Sequence, residues 1–184
     1  MAIKLTAPFD LETVKQLKAG DSVLLSGVVY TARDAAHLRM RDAIEAGEAL
    51  PVDLQGQVIY YAGPTPTPEG KPVGSIGPTT STRMDSTTPL LLAHGLRGMI
   101  GKGKRSKAVL EAMQAYPSVY FAAVGGAAAL MASCVKECQV VAYDDLGPES
   151  IKRLVLEDLP LIVAADCHGR DQYQLGQERY LQES

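Results

Sequence analysis

Three short segments of this sequence bring cations and hydroxyls together. In Thr31-Ala32-Arg33-Asp34-Ala35-Ala36-His37, Arg33 and His37 stand four apart, so a helix carries both on one face. Gly77-Pro78-Thr79-Thr80-Ser81-Thr82-Arg83-Met84-Asp85 offers three Thr and one Ser ahead of Arg83. Gly101-Lys102-Gly103-Lys104-Arg105-Ser106-Lys107 sets Lys102 between two glycines, which lets the backbone approach a ligand. An arginine is a planar fork for a carboxylate, and a lysine is a compact positive point. Backbone N–H groups at a helix start favour the same kind of ligand. Three such cations, if they converge, match a small dianion better than a macromolecule.

Each segment also has a plainer reading. Arg33 can be a solvated residue of a first helical turn, with Asp34 favouring the helix dipole. The Thr-rich run can be a helix cap with Asp85 in the first turn. The Gly-Lys-Gly run can be a basic surface loop; it is not a Walker A loop, because the upstream glycine and the spacing are wrong.

The elements that must position these segments follow from local pattern. Asp10 caps an expected helix over Leu11–Lys18, ended by Gly20. Strands are expected at Ser22–Tyr30, Val58–Ala62, Gly98–Gly101, Ser118–Val124, Gln139–Tyr143 and Leu161–Ala165. Helices are expected at Ala32–Ala46, Asp85–His94, Arg105–Tyr116, Ala127–Ser133 and Pro148–Leu154, the last opening on a proline in its first turn. Gly63–Thr82 holds five Pro and four Gly and forms no regular element. The chain from Gln172 reads as a peripheral polar tail. Strands alternating with helices predict an α/β domain with a largely buried sheet, one domain over 1–184.

Composition excludes several classes. The chain has 184 residues, 18 Lys plus Arg against 21 Asp plus Glu, and a formal charge of −3. That balance argues against a nucleic-acid binder and against a polybasic membrane binder. With no Trp and two Phe, the chain offers no aromatic platform for bases. Ala112–Val135 is free of charge, yet Pro117-Ser118 and Gly125-Gly126 interrupt it, so a strand, a turn and a short helix are expected there and no membrane span. The opening Met-Ala-Ile-Lys-Leu-Thr has no apolar stretch and no cleavage site of a secretory leader.

The three cysteines, Cys134, Cys138 and Cys167, are an odd set. They suit a reducing cytoplasm and read as small core residues; an iron–sulfur cluster normally uses three or four with tight, exposed spacing. His94 and His168 read as helix-end or loop residues.

The three segments, in this order, resemble the C-terminal domain of class I (iron–sulfur) fumarases, which in many microbes is a separate β subunit. The β subunit of L(+)-tartrate dehydratase is the close relative. The matching pieces are Ala32–His37, Gly77–Ser86 and Gly101–Gly103. Val124–Leu130, the Leu-Gly-Pro-Glu-Ser-Ile run around Gly147, and Glu157–Gly169 match as well. Val124–Leu130 and the Glu157–Pro160 stretch are more similar to fumarase than to tartrate dehydratase. Where the family often has Ala-Gly, this chain has Ser81-Thr82, a more polar loop.

That resemblance implies a swivelling β/β/α fold and a reversible hydration of fumarate to malate. It implies a [4Fe-4S] cluster held by three cysteines of a partner α subunit and none bound by this chain. Arg33, Arg83 and Lys102 stand at the family's carboxylate-binding positions. Thr79 stands at that of the base, and His37 beside them orients Arg33 or the substrate. A homodimer or an α2β2 assembly is expected, with no nucleic acid and no membrane partner. Tartrate dehydration is the alternative activity, and a non-catalytic dicarboxylate-binding module is the alternative of another class.

Overall fold

The computed structural model describes residues 1–123 and 128–183, with side chains described through residue 177. Seven strands form its sheet: β1 (Ile3–Ala7), β2 (Ser22–Thr31), β3 (Val58–Tyr60), β4 (Gly98–Gly101), β5 (Val119–Ala123), β6 (Val135–Ala142) and β7 (Ile151–Ala165). The helices are α1 (Leu11–Gln16), α2 (Asp34–Glu45), α3 (Thr88–Ala93), α4 (Lys107–Ala115), α5 (Ala128–Ser133) and α6 (Gln172–Glu183). Asp10 caps α1 through Thr13 N at 2.7 Å, and the Ser106 side chain caps α4 through Val109 N.

Strands β1 to β5 run parallel, each paired with the next. Strand β7 runs against them. It pairs with β2 on one edge and with β5 and β6 on the other. These pairings close β2, β3, β4, β5 and β7 into a ring.

Alternation along the parallel strands feeds two cores. Val58, Tyr60, Ile100 and Phe121 point into the ring with Leu25, Leu154, Leu156 and Leu161. Ile59, Tyr61, Met99 and Tyr120 point outward, under Met40, Leu91, Val109 and Met113 of α2, α3 and α4. Burial of each such side chain contributes about 1.5–3 kcal/mol, and a sheet buried on both faces explains the continuous apolar runs.

Several sequence expectations change here. The helix expected over Pro148–Leu154 is absent. Pro148 lies in a 3-10 turn, Asp144–Glu149, and Ile151 onward is β7. A proline suits a helix start, but Ile151, Leu154 and Leu156 are core residues here, and this half of β7 pairs with β2 and β6 at once. The strand expected at Leu161–Ala165 is therefore the end of a 15-residue one. Strand β6 starts at Val135, ahead of the expected Gln139. The helix expected from Asp85 begins at Thr88, because a 3-10 turn, Ser81–Met84, occupies the approach. The polar tail folds as α6. The expected Gly125-Gly126 turn lies outside the described residues. No helix among the described residues is long and apolar enough to cross a membrane.

Because β2, β3 and β4 are parallel, their C-terminal ends, Thr31, Tyr60 and Gly101, meet at one edge of the sheet. Parallel α/β sheets, open or closed into a ring, place ligands at the C-terminal ends of their strands.

Candidate active site

The Arg33 segment leaves the end of β2, and Arg33 sits at the N-cap position of α2 without a capping side chain. Its guanidinium lies 3.1 Å from Glu149 and 3.8 Å from Asp34. Glu149 ends the 3-10 turn before β7, and Lys152 ties that turn down by donating to Gly147 O, Pro148 O and Ser150 Oγ. Burial lowers the Lys152 pKa. A Cβ on Gly63 would stand 3.0 Å from Pro148 O and 3.3 Å from Arg33 Nη1. Glycine there lets the backbone close over Arg33.

The Pro/Gly-rich segment returns to the same edge. Ala62 and Pro78 form an antiparallel bridge, and Thr79 N donates to Tyr61 O at 2.7 Å. Thr80 bridges Lys102 in parallel: Ser81 N donates to Lys102 O at 2.9 Å, and Lys102 N donates to Thr79 O at 3.3 Å. Thr79 is half-buried and Lys102 exposed. Arg83 follows on the 3-10 turn and donates from Nε to Asp34 at 2.8 Å. The fold thus joins the three cationic segments, two through backbone pairing and two through the Asp34 carboxylate.

His37 is fully buried on α2. Its Nδ1 lies 2.9 Å from Arg33 O, and its ring meets Tyr61 edge-on at 5.3 Å. A carbonyl only accepts, so Nδ1 carries the proton and donates. Burial is the main reason its pKa falls to about 4, assisted by the Arg105 charge and opposed by the bond to Arg33 O and by Asp34. The imidazole is therefore neutral, and Nε2 is a buried acceptor with no partner among the described residues. Among them Arg33 Nε and Asp34 Oδ2 are also buried without hydrogen-bond partners. Such orphaned groups are costly unless something meets them.

Sequence reasoning missed four participants. Asp34 read as a helix-dipole residue and is the link between two arginines. Glu149 lies more than a hundred residues from Arg33. Arg105 read as part of a basic loop; its side chain is wholly buried and pairs with Asp85 at 2.7 Å. Tyr120 donates to Gly103 O at 2.7 Å and meets Ser81 Oγ at 2.8 Å. The polar Ser81 thus turns inward, and of the Ser81-Thr82 pair only Thr82 is exposed. None of these roles leaves a local pattern.

The thiols do not fit an iron–sulfur cluster. Cys134 and Cys138 pack against the ring core, and Cys167 is part of that core, its Sγ 3.9 Å from Val14 O. Burial raises the pKa of Cys138 and of Cys167, opposite to what a thiolate ligand needs. Among the described residues no group of three His, Cys, Asp or Glu could hold a metal. His94 contacts Leu90 O and His168 contacts Lys15 O, as helix-end and loop residues do.

A sheet buried on both faces, with three cationic segments gathered at the C-terminal ends of its parallel strands, defines a mixed α/β domain. The chain belongs to the Fumarase C-terminus family, whose sequence model it matches over residues 1–176. It is 39% identical over 166 residues to "Fumarate hydratase class I, anaerobic" of Escherichia coli (strain K12), covering 89% of this chain and 30% of that protein. It is 37% identical over 175 residues to "Fumarate hydratase 2" of Leishmania major, covering 93% and 31%. It is 42% identical over 167 residues to "Putative L(+)-tartrate dehydratase subunit beta" of Methanocaldococcus jannaschii, covering 88% and 86%. The chain spans under a third of the length of these two fumarate hydratases and most of the length of that subunit.

Proposed function

We propose that this chain is the β subunit of a hydro-lyase that interconverts fumarate and malate, with a swivelling β/β/α fold, acting with an α subunit in a homodimeric or α2β2 assembly. The observation that carries this reading is the bridge Arg33–Asp34–Arg83 beside the backbone pairing of Thr79 with Lys102.

The chemistry follows from these groups. Arg33, Arg83 and Lys102 hold the two carboxylates of the substrate. Taking a proton from the carbon next to a carboxylate builds a second negative charge on that carboxylate. Cations already in place stabilise it without reorganising, more strongly once a partner domain excludes water. In this reading Thr79 accepts that proton as its alkoxide, a form that adjacent cations favour, and the hydroxyl of the neighbouring carbon leaves as water on the α-subunit side. His37 acts from behind, fixing the carbonyl of Arg33. The [4Fe-4S] cluster belongs in this reading to the α subunit; among the described residues no group of three His, Cys, Asp or Glu could hold a metal.

The substrate is the open alternative. The tartrate reading gains from the one relative quoted above that this chain matches along most of its length. Turnover of fumarate, malate and L-tartrate by the chain mixed with its α subunit separates the two. Arg33→Met and Arg83→Met should each lower kcat/KM about ten- to a hundredfold, the worth of a charge-assisted hydrogen bond. Full activity after either change overturns the carboxylate role. Tight binding of malate by the chain alone, with no α partner retained, would instead mark a non-catalytic binding module.

A further inference from the structure

Arg105 lies behind the site in the Gly101–Lys107 segment, yet it bonds directly to the Gly77–Asp85 segment and meets Tyr61, which packs on His37 of the Thr31–His37 segment. Nε donates to Asp85 at 2.7 Å, just past Arg83. Nη2 donates to Thr88 at 2.8 Å, at the start of α3, and Nη1 to the Tyr61 hydroxyl at 3.2 Å. The guanidinium lies 5.3 Å from the centre of the Tyr61 ring and 5.1 Å from that of Tyr120. Tyr61 carries the edge of His37 and accepts from Thr79 N on its backbone oxygen. The single Tyr120 proton goes to Gly103 O, so Ser81 Oγ donates to the Tyr120 oxygen. One phenol therefore holds both the Thr79 loop and the Lys102 loop.

We infer that Arg105 is the positioning residue of the site, setting Thr79, Arg83 and Lys102 in register with one another and with Arg33. What the positioned groups do rests on the reading proposed above; the positioning itself does not. Three donors in a rigid plane dictate three directions, which a lysine cannot reproduce. Stability alone does not call for the pair, since a buried Arg–Asp pair is often no better than apolar residues of the same volume. Geometry is what it adds. Asp85 completes the unit, accepting from Arg105 with one oxygen and from Ser106 N, at 2.7 Å, with the other.

The test uses Arg105→Lys and Tyr120→Phe. Amide exchange is read on the full chain, and turnover on the chain joined to its α subunit. Exchange at the Ser81 and Lys102 amides should speed up at least tenfold in both variants, while amides deep in the β2–β7 ladder, such as Leu25 and Val155, keep their rates. In the complex, kcat should fall about a hundredfold for Arg105→Lys and KM should rise with it, because Thr79 is displaced from the substrate while Arg83 and Lys102 lose their register for its carboxylates. Unchanged exchange at Ser81 and Lys102, uniform acceleration across the whole chain, or wild-type kcat in Arg105→Lys overturns the inference. If Arg105→Lys does not fold, Thr88→Val, which removes the acceptor of Arg105 Nη2, decides it by the same two readouts. A wild-type complex that turns over no dicarboxylate would overturn the hydro-lyase reading, and the exchange rates would still decide the positioning.

Discussion

Asp34 accepts a hydrogen bond from Arg83 at 2.8 Å across 49 positions of sequence, and the same carboxylate lies 3.8 Å from Arg33. One acidic group thereby links two arginines that come from different segments of the chain. Arg83 is half exposed, and Asp34 is its one ion-pair partner among the described residues.

Asp34→Asn should therefore act through Arg83. Freeing a long side chain that binding must order again costs about 0.5–1.5 kcal/mol, or roughly two- to tenfold in kcat/KM. In a double-mutant cycle with Arg83→Ala, the pair should cost about as much as Arg83→Ala alone, because both changes remove one unit. Additive losses would show that Asp34 does something else.

His37 gives stability a pH dependence of definite sign. Its pKa is about 4 in the folded chain and 6.5 in the unfolded one. Between these values the unfolded chain binds more protons, so stability is fully present above pH 6.5 and is lost as pH falls toward 4. The loss approaches roughly 3 kcal/mol. Urea unfolding of wild type and His37→Leu at pH 7 and at pH 4 checks this. The difference between the two proteins should shrink by about that amount at the lower pH.

Gly101 leaves no room for a side chain, since a Cβ there would overlap Ser81 Oγ and stand 2.9 Å from the Tyr61 ring. Gly101→Ala should cost about 1–3 kcal/mol by overpacking. Adding Ser81→Gly should restore part of it, as read by thermal unfolding of the single and double variants.

Asp85→Asn should be the most damaging single change near the site. It leaves the wholly buried Arg105 charge without its counter-ion, at about 3–5 kcal/mol. Chemical denaturation measures the loss. Replacing both partners by apolar residues should return much of the stability without returning the positions of Ser81 and Lys102.

Much of the scaffold was legible from local pattern. Gly98–Gly101 is a strand as expected, and the helix beginning near Arg33 and the irregular Gly63–Thr82 segment are where composition placed them. The Arg33, Arg83 and Lys102 segments were visible because cations next to glycines and hydroxyls stand out at short range. Pro148–Leu154 failed because a proline signals a helix start by itself, whereas Ile151 to Leu156 answer to one strand more than a hundred residues away and another 9 to 21 residues away.

The sequence by itself determined which residue types were on offer: Arg33 at an expected helix start, Arg83 after a threonine-rich run, Lys102 between two glycines, and a net charge of −3 over the whole chain. Periodicity and capping are local, so they survive in one dimension. Only the tertiary structure decided which charges meet. The parallel run of β2, β3 and β4 brings Arg33, Thr79 and Lys102 to one edge. The antiparallel return of β7 is preceded by the turn that delivers Glu149 to Arg33. Burial then made Arg105 a positioning group and left His37 neutral. Charge pairing and desolvation depend on distance in space, and no spacing along the chain encodes that distance.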